Sequence, residues 1–259
     1  MAGRGGQLTL RLWPLEGIPE VRRGDDLPQL LARAASEQGV EAGDVLIVAH
    51  KVVSKSEGRV VALDEVEPGP AARRLADETG KPPELCELIL AESARIVRRR
   101  GGTLICETHH GFVCANAGID RSNVVEGLAL LLPVDPDASA RRIQAALSAR
   151  LGGRVGVVVT DTHGRAFRRG LVNVAIGVAG FEPVIDRRGG RDREGRILVA
   201  TDQALADELA AASGVHMGKD SGTPAIAARG VATIPAPGTA RDLVRAPEHD
   251  LFRGDDAPA

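Results

Sequence analysis

Hydrophobic residues recur along this chain with two different spacings. Continuous apolar runs bounded by turn residues are typical of buried strands, whereas apolar positions three and four residues apart are typical of amphipathic helices. The pattern predicts strands at Leu8–Leu12, Val45–Ala49, Leu104–Thr108, Arg154–Asp161 and Ala225–Arg229, and a further apolar stretch at Val172–Gly180. It predicts helices at Leu27–Gln38, Ala71–Thr79, Pro83–Arg98, Ala140–Leu151 and Asp202–Ala212.

The order of these elements predicts a mixed α/β (α+β) fold, because strands and helices alternate without a strict βαβ rhythm. We expect one domain over residues 1–259 that divides into two lobes around a mixed sheet, with residues 233–259 as a linker-like tail. Ser139 or Asp137 is the expected cap of the helix at Ala140. Asp207 and Glu208 are expected on the exposed face of the last helix.

Composition excludes several classes of function. The net charge is −2, aromatic residues make up 2% of the chain and Tyr is absent, so there is neither a basic field nor a stacking surface for nucleic acid. No run approaches the roughly 18 apolar residues of a membrane span, and the first residues lack the apolar core of a signal peptide. The three cysteines show no CxxC spacing. A cytoplasmic protein without a zinc site or a disulfide framework is therefore expected.

The segment from His109 to Val124 is rich in groups that bind ions. Small residues in Ala115–Gly118 allow close backbone approach, and Asp120, Ser122 and Asn123 then supply a carboxylate, a hydroxyl and an amide. This combination suits a metal or phosphate site. The alternative is an Asn/Asp/Ser turn whose side chains cap the following helix.

A second carboxylate follows the apolar run RVGVVVTD, at its carboxyl end. In open α/β sheets, ligands bind beyond the carboxyl ends of strands. Asp161 can hold a hard cation through oxygen, and Thr162 can hold another. The alternative is an Asp-Thr pair that closes a turn.

Two further groups complete a candidate nucleotide site. His50 and Lys55 follow the strand Val45–Ala49, and the loop Met217–Gly222 can offer backbone N–H groups to phosphate. Two carboxylates and a lysine suit a metal-bound triphosphate, although no Walker A or GxGxxG motif is present. The alternatives are a solvated lysine, a buried histidine with satisfied hydrogen bonds and an ordinary loop.

These motifs resemble, closely and in order, the coenzyme F420-0:gamma-glutamyl ligase family. The resemblance covers about Leu12 to Gly230. The matching stretches are GDVLIVAHKVVSKSEGRVV, ETHHGFVCANAGIDRSNV, LLPVDPDASA, VGVVVTDTHGRAFRRG, VAIGVAG and the MGK loop.

The resemblance implies a ligase that uses GTP, Mn2+ or Mg2+, and K+ to add L-glutamate to coenzyme F420-0, a phospholactyl deazaflavin, through an acyl phosphate. Whether a second, gamma-linked glutamate follows is left open. It also implies an intertwined, two-lobed homodimer, and we expect no nitroreductase-like domain. The open alternatives are a binding module that retains the contacts without catalysis and a GTP-dependent ligase that acts on another carboxylate.

The resemblance also assigns roles to residues. Lys55, Asp120 and Asp161 are the implied catalytic residues. Asp120 and Asp161 would bind one divalent ion, and Thr162 a second. The implied GTP-binding residues are Ile18, Pro19, Glu20, Val21, His50, Lys55, Asn123, Met217, Gly218, Lys219, Asp220, Ser221 and Gly222. Some family members carry an acidic residue in place of Lys219, so a metal contact from this loop is not implied here.

Overall fold

The computed structural model describes residues 9–122, 125–218, 221–250 and 252. Its α-helices are α1 Leu27–Glu37, α2 His50–Ser56, α3 Pro70–Thr79, α4 Pro83–Ala91, α5 Pro136–Leu151 and α6 Leu205–Ser213. Its strands are β1 Arg11–Pro14, β2 Val45–Ala49, β3 Val60–Ala62, β4 Ser93–Arg100, β5 Thr103–Thr108, β6 Val113–Ala115, β7 Leu128–Leu130, β8 Gly156–His163, β9 Val172–Ala179, β10 Ile185–Asp186, β11 Asp202–Gln203 and β12 Ala225–Arg229.

The main sheet has five strands in the order β1-β12-β2-β8-β9. Its two central apolar strands, β2 and β8, are parallel, and all other neighbours in this sheet are antiparallel. Alternate residues of β2 point to opposite faces of the sheet. Leu46 and Val48 join one hydrophobic cluster, whereas Val45 and Ile47 join another. The central strands are therefore buried on both faces, which explains their continuous apolar sequence.

Helices cover both faces of this sheet. Leu31 of α1 and Ile143 of α5 lie in the first cluster, and Leu209 of α6 lies in the second. The helix α1 begins where the sequence indicates, because Asp26 accepts a hydrogen bond from the Gln29 N–H (3.2 Å). The sheet and its helices together hold the carboxyl ends of β2 and β8 in fixed positions.

A third hydrophobic cluster is built from the segment between Leu63 and Leu131. It includes residues of α3, α4 and the antiparallel sheet β4-β5-β6. Two smaller pairs, β3-β7 and β10-β11, complete the pairing among the described strands. Cys86, Cys106 and Cys114 are buried free thiols.

The predicted helix Pro83–Arg98 is wrong in its second half. The helix ends at Ala91, and residues from Ser93 form β4, which pairs with β5 across the Gly101-Gly102 turn. A Gly-Gly turn between two strand-like runs is a hairpin signal, and the β-branched pair Ile96 and Val97 favours a strand. Cross-strand pairing therefore outweighs the helical spacing of the apolar residues.

Other boundaries and side chains also differ from expectation. The first strand is Arg11–Pro14, whereas the expected strand began at Leu8, which lies outside the described residues. The cap of α5 is Asp135, which accepts from the Ala138 N–H (2.8 Å), while Asp137 accepts from the Val178 N–H (2.8 Å). Asp207 is not on an exposed face, because its carboxylate accepts from the Ala175 N–H (2.8 Å). The last helix begins at Leu205, since Asp202 and Gln203 form β11.

The architecture confirms a mixed α/β fold with several sheets. The two-lobed arrangement stays a prediction. Among the described residues, no helix combines the length and the apolar character that a membrane crossing requires.

Candidate active site

One cavity of about 680 Å³ lies at the carboxyl ends of β2 and β8. This is the position at which α/β sheets bind ligands. The predicted site residues that line it are Ile18, Pro19, Glu20, Val21, His50, Lys55, Asp120, Asp161, Thr162, Met217, Gly218 and Gly222. The structure therefore brings together five segments that are far apart in the sequence.

The first pair in this cavity is His50 and Asp161. Ala49 of β2 pairs in parallel register with Thr160 of β8, so the residue after each of them lies beside the other. The His50 Nε2 atom is 3.1 Å from Asp161 Oδ1, and both side chains are largely buried. The ends of the two apolar strands thus place an imidazole and a carboxylate next to each other.

A second imidazole approaches the same carboxylate. His163 Nε2 lies 3.3 Å from Asp161 Oδ2. Both Nε2 atoms are buried, and neither forms an aligned hydrogen bond with a described residue. Burial alone would raise the pKa of Asp161, but the two histidines outweigh it and hold that pKa well below its ordinary value of 3.8. Asp161 is therefore ionised at neutral pH.

The polar residues after β2 lie on the short helix α2, whose side chains reach two different carboxylates. Lys51 Nζ is 2.6 Å from Asp120 Oδ2 and donates to Ser122 Oγ (2.8 Å). Burial raises the pKa of Asp120, but hydrogen bonds from Lys51 and Ser122 outweigh it and lower that pKa. Lys51, like His163 and Asn173, is a site residue that the sequence analysis did not select. The only signal for Lys51 was its place next to His50.

Lys55 has a different partner. Its Nζ atom lies 2.5 Å from Glu20 Oε1, on the loop that precedes α1. The Glu20 side chain is 72% exposed, whereas that of Lys55 is 19% exposed. The solvated-lysine alternative is thus wrong in part, because this lysine is mostly buried and paired at the cavity wall.

The small residues before Asp120 form a strained turn. Asn116 and Ala117 have φ angles of 52° and 54°, in the left-handed region that residues other than glycine seldom adopt. Gly118 follows with φ +74°. The Asn116 Oδ1 atom is buried without a hydrogen bond and belongs to a residue that lines the cavity. Strain and an unpartnered acceptor at a cavity wall are typical of ligand sites.

The oxygen ligands in the cavity suit a hard divalent cation. Asp120 and Asp161 are anionic, and the Thr162 hydroxyl donates to Asn173 Oδ1 (2.8 Å), which leaves its lone pairs available. No group of three His, Cys, Asp or Glu side chains among the described residues is arranged to hold a metal. A cation here would therefore take its remaining ligands from phosphate and water, as Mg2+ commonly does.

Not every predicted residue can be located. Asn123, Lys219 and Asp220 lie outside the described residues. Ser221 is described, but it does not line the cavity, and its Oγ donates to the Gly218 carbonyl (2.8 Å). Of the loop that was predicted to bind phosphate, three described residues therefore line the cavity: Met217, Gly218 and Gly222.

Comparison with known proteins assigns the chain to a family. The F420-0:gamma-glutamyl ligase family matches residues 17–230. The chain is 47% identical over 252 residues to the coenzyme F420:L-glutamate ligase of Methanothermobacter thermautotrophicus, covering 95% of this chain and 100% of that protein. The enzymes of the same name from Methanopyrus kandleri and Archaeoglobus fulgidus are 48% identical over 254 residues and 40% identical over 247 residues. Those matches cover 96% and 95% of this chain, and 100% and 97% of the relatives. The chain therefore belongs to the F420-0:gamma-glutamyl ligase family.

Proposed function

We propose that this protein is a GTP-dependent ligase that joins L-glutamate to coenzyme F420-0 by an amide bond. One observation carries the proposal: in a chain of this family, Asp120, Asp161 and two lysines line a single cavity of about 680 Å³. A cavity of this volume falls within the range of small-molecule and cofactor sites. The relatives are named as ligases of coenzyme F420 and L-glutamate, which supports these two compounds as the substrates.

The cavity is suited to a triphosphate because its cations can neutralise phosphate charge. Lys51 and Lys55 belong to one helix and both line the cavity. Met217, Gly218 and Gly222 border the same space. In phosphoryl transfer the protein mainly positions the reactants and stabilises charge, which these groups can do.

Asp120, Asp161 and Thr162 would hold Mn2+ or Mg2+. A divalent ion held by these residues would supply positive charge that stabilises the phosphates. His50 and His163 fix the Asp161 carboxylate from two sides, and Lys51 fixes Asp120. A requirement for K+ stays part of the proposal, supported by the family resemblance alone.

The proposed reaction has two steps. A carboxylate oxygen of F420-0 takes the γ-phosphoryl group of GTP, which yields an acyl phosphate and GDP. The amine of glutamate then attacks the activated carbonyl, phosphate leaves with the electrons of the C–O bond, and the amine loses a proton. Activation is required because a free carboxylate is a poor acylating agent.

A homodimer is part of the same proposal. Val113, Ile96 and Val97 are large apolar residues of the sheet β4-β5-β6, and each is more than a third exposed. Strands with exposed apolar faces and open edges are commonly covered by another chain. A second copy of this protein is the proposed cover.

The test is an incubation with GTP, Mn2+, K+, L-glutamate and F420-0. The product should gain the mass of one glutamyl unit, and GDP should form only when both the deazaflavin and glutamate are present. Each component is omitted in turn, with GDP measured by chromatography and the deazaflavin by mass spectrometry. Rapid GDP release without F420-0, or turnover without a gain in mass, would contradict the proposal.

A further inference from the structure

A second cavity of about 620 Å³ adjoins the first. The two cavities share three lining residues, Glu20, Val21 and Lys55. The Lys55–Glu20 ion pair therefore lies on the wall between them. Since a ligase must bring two reactants together, a shared wall of this kind is where they would meet.

Two arginines line only the second cavity. Arg22 and Arg23 lie in the turn 22–25, which is fixed by the Asp25 N–H donating to the Arg22 carbonyl (3.1 Å). The Gly24 N–H also donates to the Ser56 carbonyl (3.0 Å), which ties the turn to the end of α2. Neither guanidinium forms an ion pair with any other described residue. Their charge is available to a ligand.

The position of Arg23 depends on the absence of a side chain at Gly58. A Cβ atom built at Gly58 would lie 2.8 Å from Arg23 Cδ and Nε, which is closer than such atoms approach in proteins. The Arg23 side chain therefore passes directly over this glycine, along the edge of the cavity. Gly58 itself lines the same cavity.

The rest of the second cavity is lined mainly by apolar residues. Val60 of β3 and Leu128 of β7 belong to one two-stranded sheet, and Val125 beside them is 73% exposed. A cavity that combines apolar side chains with two guanidinium groups suits a ligand with an apolar body and an anionic group. The first cavity has no arginine among its described lining residues.

We propose that this second cavity binds the acid substrate, with Arg22 and Arg23 holding its phosphate diester and with its ring against Val60, Val125 and Leu128. This inference rests on the proposed function. The ring and the phosphate diester are those of F420-0, whose carboxylate would then point past Lys55 and Glu20 toward the first cavity. Guanidinium groups bind phosphate oxygens in a bidentate manner, which gives both charge and orientation.

The test measures binding and kinetics of Arg23→Ala. Loss of a hydrogen-bonded charge pair should weaken F420-0 binding at least about tenfold, measured by equilibrium dialysis and read from the absorbance of the deazaflavin. The KM for F420-0 should rise by a similar factor while the KM for GTP stays the same. Arg74→Ala is the matched control, because Arg74 is an exposed arginine of α3 that lines neither cavity.

A second variant, Gly58→Ala, tests the position of Arg23 without removing any charged group. Gly58→Ala would displace the Arg23 side chain, so it should also weaken F420-0 binding. The double variant Arg23→Ala/Gly58→Ala should bind F420-0 little more weakly than either single variant. Circular dichroism checks that both variants are folded.

The outcomes separate this inference from the proposed function. If the wild-type protein does not bind F420-0, the proposed function fails. If the wild type binds F420-0 and turns it over but Arg23→Ala binds equally well, the second cavity is not the acid site. A rise in the KM for GTP alone would also overturn the inference, because it would place the nucleotide beside Arg23.

Discussion

The Lys51 ammonium lies 2.6 Å from the Asp120 carboxylate, and this pair joins helix α2 to the strained turn before Asp120. The sequence analysis selected instead Lys55, which lies four residues later and pairs with Glu20. The two lysines differ in what they can do. Lys51 balances a proposed metal ligand directly, whereas Lys55 lies on the wall between two cavities.

The first prediction concerns Lys51→Met, which keeps the apolar stem and removes the charge. Because the ammonium competes with a cation for Asp120, the variant should bind Mn2+ about tenfold more tightly in the absence of nucleotide. The KM for GTP should rise, since one phosphate-neutralising charge is lost. Mn2+ binding is measured by titration calorimetry. The control is Lys81→Met, because Lys81 lies between α3 and α4. Unchanged Mn2+ affinity would show that Lys51 and the metal do not share Asp120.

The second prediction concerns Asp161→Asn. The amide keeps the shape of the side chain but not its negative charge, so it cannot neutralise a divalent ion. Turnover should be abolished while the far-ultraviolet circular dichroism spectrum is retained. Full activity of the variant at limiting Mn2+ would contradict the role of Asp161 as a metal ligand.

Asp161 also makes stability depend on pH, which is the third prediction. Its pKa in the folded protein lies below the ordinary value of 3.8, so the ionised group stabilises the fold at neutral pH. That contribution is lost as the pH falls below about 4. The Tm of the wild type, measured with chelator at a series of pH values, should therefore fall more steeply below this pH than the Tm of Asp161→Asn. Parallel curves would show that the carboxylate is not stabilised by His50 and His163.

The fourth prediction tests the turn before Asp120 with Gly118→Ala. Gly118 has φ +74°, and an added Cβ would lie 2.7 Å from Leu132 Cδ1 and Cγ. Left-handed strain and overpacking together should cost about 2–4 kcal/mol of unfolding free energy. Gly189→Ala is a matched control, because Gly189 has φ +79° and no heavy atom within 4 Å of the added Cβ, so only the backbone cost of about 1 kcal/mol is expected. Urea unfolding decides the matter, and equal losses in both variants would mean that the turn relaxes around the methyl group.

The sequence was sufficient to predict the centre of the site. The apolar runs of β2 and β8 are long enough to predict buried strands, and polar residues directly after buried strands are expected at one sheet edge. The register pair Ala49 and Thr160 then brings His50 to Asp161. Strand type and strand end are properties of local sequence, whereas the pairing of β2 with β8 that brings the two side chains together is a tertiary contact.

Other features depend on tertiary partners that local sequence does not reveal. β4 has a helical spacing of apolar residues, yet its pairing with β5 decides its conformation. The separate partners of Lys51 and Lys55 depend on how α2 lies between the loop at Glu20 and the turn at Asp120. No pattern in the sequence of α2 distinguishes the two lysines, because both follow the same buried strand.

The dimer is also testable. Light scattering should give about twice the 27.1 kDa mass of the chain, because exposed apolar residues of β4 and β6 would be covered by a second copy. Val113→Lys and Val97→Lys place charges on this surface and should shift the protein toward the monomer. A stable, active monomer of the wild type would overturn the proposal.

The last prediction concerns Lys55→Ala. Because the Glu20 side chain is 72% exposed, its ion pair with Lys55 contributes at most about 1 kcal/mol to stability, so removal of the lysine should leave the fold intact. If Lys55 neutralises the triphosphate, however, kcat/KM for GTP should fall by the equivalent of about 2–4 kcal/mol, as when one preorganised electrostatic group is deleted. Steady-state kinetics with GTP as the varied substrate measure this loss, and Lys81→Ala controls for the general removal of a lysine. An unchanged kcat/KM would assign Lys55 to its pair with Glu20 alone, and the nucleotide would then have to lie closer to Lys51 and Asp120.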